Sequence, residues 1–190
     1  MYFQLKKIIL ASQSPRRKQL LEWAEIPFEI MVSDADESFS NELNIKEIPV
    51  FIAKQKALAI KNKITNNHII LAADTVVVLN NKIIGKPNNA EEAIEILSAL
   101  SGKTHTVITG VVILDGEKEI GFADVTEVEF HALTQEQIKF YVEKYKPYDK
   151  AGACAIQEWI GVVGIKQIKG DFYNVMGLPV SRVVQTLQQL

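Results

Sequence analysis

From Ile69 to Leu79 the chain reads Ile-Ile-Leu-Ala-Ala-Asp-Thr-Val-Val-Val-Leu, an apolar and largely β-branched run with a single charged residue, Asp74, near its middle. The run is too β-branched and too compact for a helix and specifies a central strand. A carboxylate in that setting is costly to bury alone and needs a metal, a cation or hydrogen-bond donors. A structural aspartate held by backbone donors at a strand end would meet the same demand. Whatever surrounds this strand must therefore cover an apolar sheet and also compensate one negative charge.

Strands and helices alternate on either side of it. Ile8-Ile9-Leu10-Ala11 reads as a buried strand, and Ser14 with Pro15 as the cap and first position of a helix bearing Leu20, Leu21 and Ala24. Phe28 to Val32 reads as a second strand, followed by the acidic loop Ser33-Asp34-Ala35-Asp36-Glu37-Ser38. Ile48, Ile52, Lys56 and Ala59 share a face at helical spacing, which puts Lys56 beside an apolar stripe. Asn80-Asn81 is a two-residue hairpin signal leading into Ile83-Ile84, and Asn89 followed by Glu92 marks the start of a helix that stops at Gly102. Thr104–Leu114 and Glu119–Phe130 read as long strands joined at Asp115-Gly116, and Thr134 with Gln137 forms a capping box. Val162 to Ile168 is strand-like, and Val180, Val183, Val184 and Leu187 mark a closing amphipathic helix. The order predicts an α/β fold with a mixed sheet. Where two lobes would divide is not legible from composition.

Composition narrows the function classes. The 190 residues suit one ordinary domain, and 47% hydrophobic with 23% charged residues excludes global disorder. Twenty-one basic against 23 acidic residues give a formal charge of −2, which argues against a generic basic nucleic-acid binder. The single cysteine, Cys154, cannot close an internal disulfide or build a Cys-rich zinc site, and a reducing compartment accounts for it. No run reaches the roughly eighteen apolar residues of a membrane span. The apolar stretch after Lys6-Lys7 is too short for a secretory leader, so a cytoplasmic location is expected.

Several residues could carry chemistry. Ser12-Gln13-Ser14-Pro15-Arg16-Arg17 sets hydroxyls and guanidiniums at a strand-to-helix junction, where free N–H groups and forked donors favour a phosphate; solvated first-turn arginines are the plainer alternative. Lys56 and Lys86, the latter in Gly85-Lys86-Pro87, lie in segments able to reach Asp74, although a snorkelling lysine and a solvated loop lysine would look the same. Asp36 and Glu37 could add oxygen ligands. Oxygen-only ligation beside phosphate favours Mg²⁺ or Mn²⁺ over zinc. The Gln157 amide could read a base edge, and a satisfied polar residue at a strand end is equally common. His68, His105 and His131 show no metal-ligand spacing and read as structural or surface residues, and Cys154 reads as packing.

Taken together, Leu10-Ala-Ser-Gln-Ser-Pro-Arg-Arg17, Lys56-Ala57, Ala73-Asp-Thr-Val-Val77, Gly85-Lys-Pro87, Leu100-Ser-Gly-Lys-Thr-His-Thr-Val107, Asp149-Lys-Ala-Gly152, Ala155-Ile-Gln157 and Asn174-Val-Met-Gly-Leu-Pro179 resemble the Maf family of nucleoside triphosphate pyrophosphatases. The resemblance runs over nearly the whole chain and implies a single Maf-like domain over residues 1–190. It implies an α/β fold with an elongated mixed β-sheet flanked by helices, and two lobes around a central cleft, as in the inosine triphosphatase-like enzymes. It implies cleavage of a nucleoside triphosphate to the monophosphate and pyrophosphate with a divalent cation, as a house-cleaning activity linked to cell-division arrest. Asp74 then corresponds to the proton acceptor, Glu37 to a metal-associated carboxylate together with Asp74, and Ser12, Arg16, Arg17, Lys56 and Lys86 to the triphosphate-binding set. Arg16, Thr75 and Gln157 match the branch acting on dTTP and UTP, and the family implies a homodimer. An inosine triphosphate-type purine pyrophosphatase and a non-catalytic septum-regulating protein are the competing readings. Cys154 departs from the aromatic residue usual before Ala-Ile-Gln, and Phe172-Tyr173 varies the approach to Asn-Val.

Overall fold

The computed structural model describes residues 6–32, 34–40, 42–64 and 68–190. The extreme N-terminus and Ser33 of the acidic loop lie outside them. Among the described residues one seven-stranded sheet runs in the order β2-β1-β3-β5-β6-β7, with β4 also paired to β3. The strands are β1 (Ile8–Leu10), β2 (Phe28–Ile30), β3 (Ile69–Leu79), β4 (Lys82–Ile84), β5 (Thr104–Asp115), β6 (Lys118–Phe130) and β7 (Ile165–Lys169). The helices are α1 (Pro15–Trp23), α2 (Ile48–Lys61), α3 (Ala90–Leu100), α4 (Gln135–Tyr145), α5 (Trp159–Gly164), α6 (Phe172–Met176) and α7 (Val180–Leu187). β1 is parallel to both β2 and β3, whereas β4 is antiparallel to β3 and β7 to β6, so the sheet is mixed as expected.

The chain forms two compact units. The first takes residues up to Asp74, Thr109–Asp124 and Gly177–Leu190; the second takes Thr75–Ile108 and Val125–Met176. In the first, alternate residues Ile70 and Ala72 of β3 pack with Ala53, Ala57 and Ile60 of α2 and with Ile9, Ala11, Val112 and Leu114. Small alanines let α2 lie close to the sheet. The approach is tightest at Gly110 of β5, where a Cβ would stand 2.2 Å from the Val50 nitrogen. Only glycine permits it. Asp74 has the same parity as Ile70 and Ala72 and continues the face that α2 covers.

In the second unit Leu97 and Leu100 of α3, Ile138, Tyr141 and Val142 of α4, and Ile160 of α5 enclose Leu79 and Phe130. Local signals fix the helix starts. Asn89 accepts from the Glu92 N–H at 2.9 Å, and Thr134 and Gln137 complete their capping box. Asn80 and Asn81 both adopt positive φ, 51° and 61°, as the β3–β4 hairpin requires.

One sequence expectation needs correction. Val162 to Ile168 is not one strand: Val162 and Val163 belong to α5, and β7 begins only at Ile165. Gly161 is the reason. A Cβ there would lie 1.7 Å from the Ile156 carbonyl oxygen, so glycine lets the chain fold back as a helical turn despite its β-branched neighbours. Short α6 between Gly170 and Gly177 also had no periodic signal to announce it.

Candidate active site

β3 leaves β1 after Leu71, its last residue paired to that strand, and pairs with β4 from Val77. Asp74 and Thr75 occupy the gap, and they are the only residues of β3 that are not fully buried. The central carboxylate is thus partly open where the neighbouring strand has ended. From α2, Lys56 lies about one turn beyond Ala53 and Ile52, which are buried. Its ammonium donates to Asp74 Oδ1 at 2.7 Å and stands 2.9 Å from Glu37 Oε1. The side chains of Lys56 and Asp74 are 12% and 14% exposed, whereas Glu37 is 58% exposed. Asp74 therefore obtains a cation partner, one of the three expected solutions, and the acidic loop contributes Glu37 to the same cation. Asp36 turns instead to its own loop and accepts from the Ser38 N–H and hydroxyl at 2.9 and 2.7 Å.

Where β1 gives way to α1, the Ser14 hydroxyl caps the helix by accepting from the Arg17 N–H, with Pro15 at its start. Arg17 is not a solvated first-turn arginine. It is 9% exposed, its Nε donates to the Gly177 carbonyl at 2.8 Å, and its Nη1 donates to Ser12 Oγ at 3.0 Å. Ser12 Oγ also accepts from the Ser14 N–H at 3.2 Å, so hydroxyl, guanidinium and helix start are interlocked. Burial lowers the Arg17 pKa from its ordinary value; the charge of Asp74 opposes this, Arg16 adds to it, and Glu37 opposes it. A guanidinium remains protonated under such a shift. Arg17 consequently lies in the electrostatic field of both carboxylates.

The first unit thus brings together Ser12, Arg17, Glu37, Lys56 and Asp74, with half-buried Arg16 beside Arg17. Two carboxylates facing one ammonium form a hard-oxygen pair, which fits a Mg²⁺-type cation completed by phosphate and water better than an all-protein cage. The described residues contain no group of three or more His, Cys, Asp or Glu that could hold a metal ion. Thr75, Lys86 and Gln157 belong to the second unit. Lys86 and Gln157 are exposed there, and Gly85, next to Lys86, accepts from the Gly152 N–H through its carbonyl at 3.0 Å. Gly177-Leu178-Pro179 stands out as a motif, but nothing in its residues points to the Gly177 carbonyl accepting from an arginine so far away in sequence.

No helix among the described residues is long and apolar enough to cross a membrane. The Maf-like protein family model matches residues 7–190. A dTTP/UTP pyrophosphatase of Cytophaga hutchinsonii is 52% identical over 96% of this chain and 84% of that one. Proteins of the same name from Parabacteroides distasonis and Bacillus cereus strain G9842 are 48% and 49% identical, covering 96% and 97% of this chain and 95% and 96% of theirs. Among solved structures, the Staphylococcus aureus Ham1 protein is similar at a TM-score of 0.49 and 16% identity over 95% of this chain and 100% of that one. With residues 7–190 matched end to end and half-identical relatives spanning nearly the same length, this chain belongs to the Maf-like protein family.

Proposed function

We propose that this chain is a nucleoside triphosphate pyrophosphatase that hydrolyses dTTP and UTP to the nucleoside monophosphate and pyrophosphate, acting as a single Maf-like domain over residues 1–190, as a homodimer, in the cytoplasm. The observation that carries the reading is the Lys56 ammonium held between Asp74 and Glu37, in a chain close to half identical to proteins named dTTP/UTP pyrophosphatase. Asp74 is the proton acceptor. Water attacks one phosphorus of the α–β anhydride, the bridging oxygen leaves with the other, and the water proton passes to the Asp74 carboxylate. Lys56, donating to Oδ1, keeps that carboxylate oriented until then.

Lys56 has three N–H donors, so two carboxylates leave it the capacity for a phosphate oxygen. Arg16, Arg17 and Lys86 add positive charge for the triphosphate, and Ser12 adds a hydroxyl. Donors already in place stabilise charge on the departing pyrophosphate without reorganising during the reaction. Arg16, Thr75 and Gln157 set the base preference. Glu37 and Asp74 are the residues that would hold a divalent cation, Mg²⁺ or Mn²⁺, which when bound neutralises phosphate charge and makes water a stronger acid.

Asp74→Asn tests the reading. The amide still accepts from Lys56, so the fold is expected to persist, while pyrophosphate release falls by about 10³-fold, in the range of a lost general base. Full activity in that variant would remove Asp74 from the mechanism. A pyrophosphate-release panel over UTP, dTTP, CTP, 7-methyl-GTP and ITP is expected to favour the first two, and a preference for ITP would overturn the substrate assignment.

A further inference from the structure

Gln157 stands on an exposed turn whose neighbours Ala155 and Ile156 are buried, at 3% and 5% exposure. The turn is closed by the Glu158 N–H donating to the Ala155 carbonyl at 3.0 Å. On its far side the Glu158 carbonyl accepts from the Gly161 and Val162 N–H groups at 2.9 and 3.2 Å, which starts α5 and presses Gly161 onto the Ile156 backbone. The Glu158 side chain is anchored elsewhere. It accepts from the Tyr141 hydroxyl of α4 at 2.9 Å and lies 3.6 Å from the Lys150 ammonium, which also donates to Asp149 at 2.7 Å. Tyr141 is fully enclosed and Lys150 is 7% exposed, so both partners of Glu158 are rigid.

Nothing in the phosphate chemistry uses this assembly. We propose that Glu158, clamped by Tyr141 and Lys150, is a positioning residue that fixes the Gln157 turn so that the Gln157 amide meets the pyrimidine base already placed. The inference rests on the reading of Gln157 as a base-contacting residue. An amide on a mobile turn would pay ordering entropy on each binding event, and a turn fixed beforehand does not. The phenol is suited to a permanent donor role: burial raises the Tyr141 pKa above its ordinary value, and the nearby Cys154 and Glu158 raise it further. It donates to Glu158 across the whole working pH range.

Tyr141→Phe removes only the hydroxyl and keeps the ring in the core. It is expected to raise the KM for UTP about fivefold, the size of one hydrogen bond's net contribution, with kcat nearly unchanged. In a Gln157→Ala background the same substitution is expected to change KM no further, because the clamp then has no amide to place. Glu158→Gln, which retains an acceptor for Tyr141 but loses the charge facing Lys150, should lie between parent and Glu158→Ala. An equal KM effect of Tyr141→Phe in both backgrounds would overturn the proposal, as would no effect in either. If Gln157→Ala raises KM while Tyr141→Phe is silent, only the clamp fails. If Gln157→Ala itself leaves KM unchanged, the base-contact reading and the clamp fall together.

Discussion

Arg17 shows how much one side chain does when it is built into a site rather than hung over it. Its Nε holds the Gly177 carbonyl and its Nη1 holds Ser12, two acceptors in different directions that a planar fork meets at once. A lysine carries the same charge as a single point and cannot span both. Arg17→Lys is therefore expected to lower kcat/KM for UTP at least about tenfold and to reduce stability by ~1–3 kcal/mol through the unpaired carbonyl, read from steady-state kinetics and the urea midpoint. Unchanged values would mean that charge alone matters at this position. Lys56 is legible in the sequence because helical spacing places it on the face of Ile48, Ile52 and Ala59, and Asp74 because an apolar strand makes it anomalous. The partner of Arg17 was not, since a backbone carbonyl has no residue-type signature and the contact closes over a sequence separation of 160.

Among elements, α2 matters most to the site because it carries Lys56, and its seat on the sheet depends on one missing side chain. At Gly110 a Cβ would fall 2.2 Å from the Val50 nitrogen and 2.3 Å from the Pro49 carbonyl carbon, backbone atoms that cannot rotate away. Gly110→Ala must displace the start of α2. We expect a loss of ~3 kcal/mol or more in denaturant unfolding, together with a drop in turnover as Lys56 moves relative to Asp74. Gly121→Ala is the control: its Cβ would meet Val50 Cγ1 at 3.4 Å, Val112 Cγ2 at 3.8 Å and the Val111 carbonyl oxygen at 4.0 Å, all ordinary contacts, and its effect should be smaller. Capped helices and the Asn-Asn hairpin were readable because their signals lie within four residues of the structure they specify. α5 is illegible for the opposite reason. Its valines favour a strand, and the Gly161 contact that overrides them is made with a backbone oxygen that composition cannot reveal.

For the molecule as a whole, β3, β5 and β6 each begin in one compact unit and end in the other. If residues 1–190 behave as one domain, a titration in the second unit must alter the stability of the entire chain. His105 supplies that titration. It is 4% exposed, stacked on Phe130 at 5.3 Å between ring centroids, and among the described residues its Nδ1 has no hydrogen-bond partner. Burial pushes its pKa from 6.5 down to about 4. Between these values the unfolded chain binds a proton that the folded chain does not, so stability is full above pH 6.5, falls as the pH drops through the window, and has lost about 3 kcal/mol near pH 4. Carboxylate pairs add their own losses at the acid end, and His105→Gln isolates the histidine by removing its share of the slope. Two probes distinguish the units: far-UV circular dichroism follows all the helices, while Trp159 fluorescence in a Trp23→Phe background follows the second unit alone. Both are expected to give coincident urea transitions that shift together between pH 6.5 and 4.5. A Trp159 transition that moves with pH while the remaining helical signal stays put would show the two units unfolding separately, and the single-domain reading would be wrong.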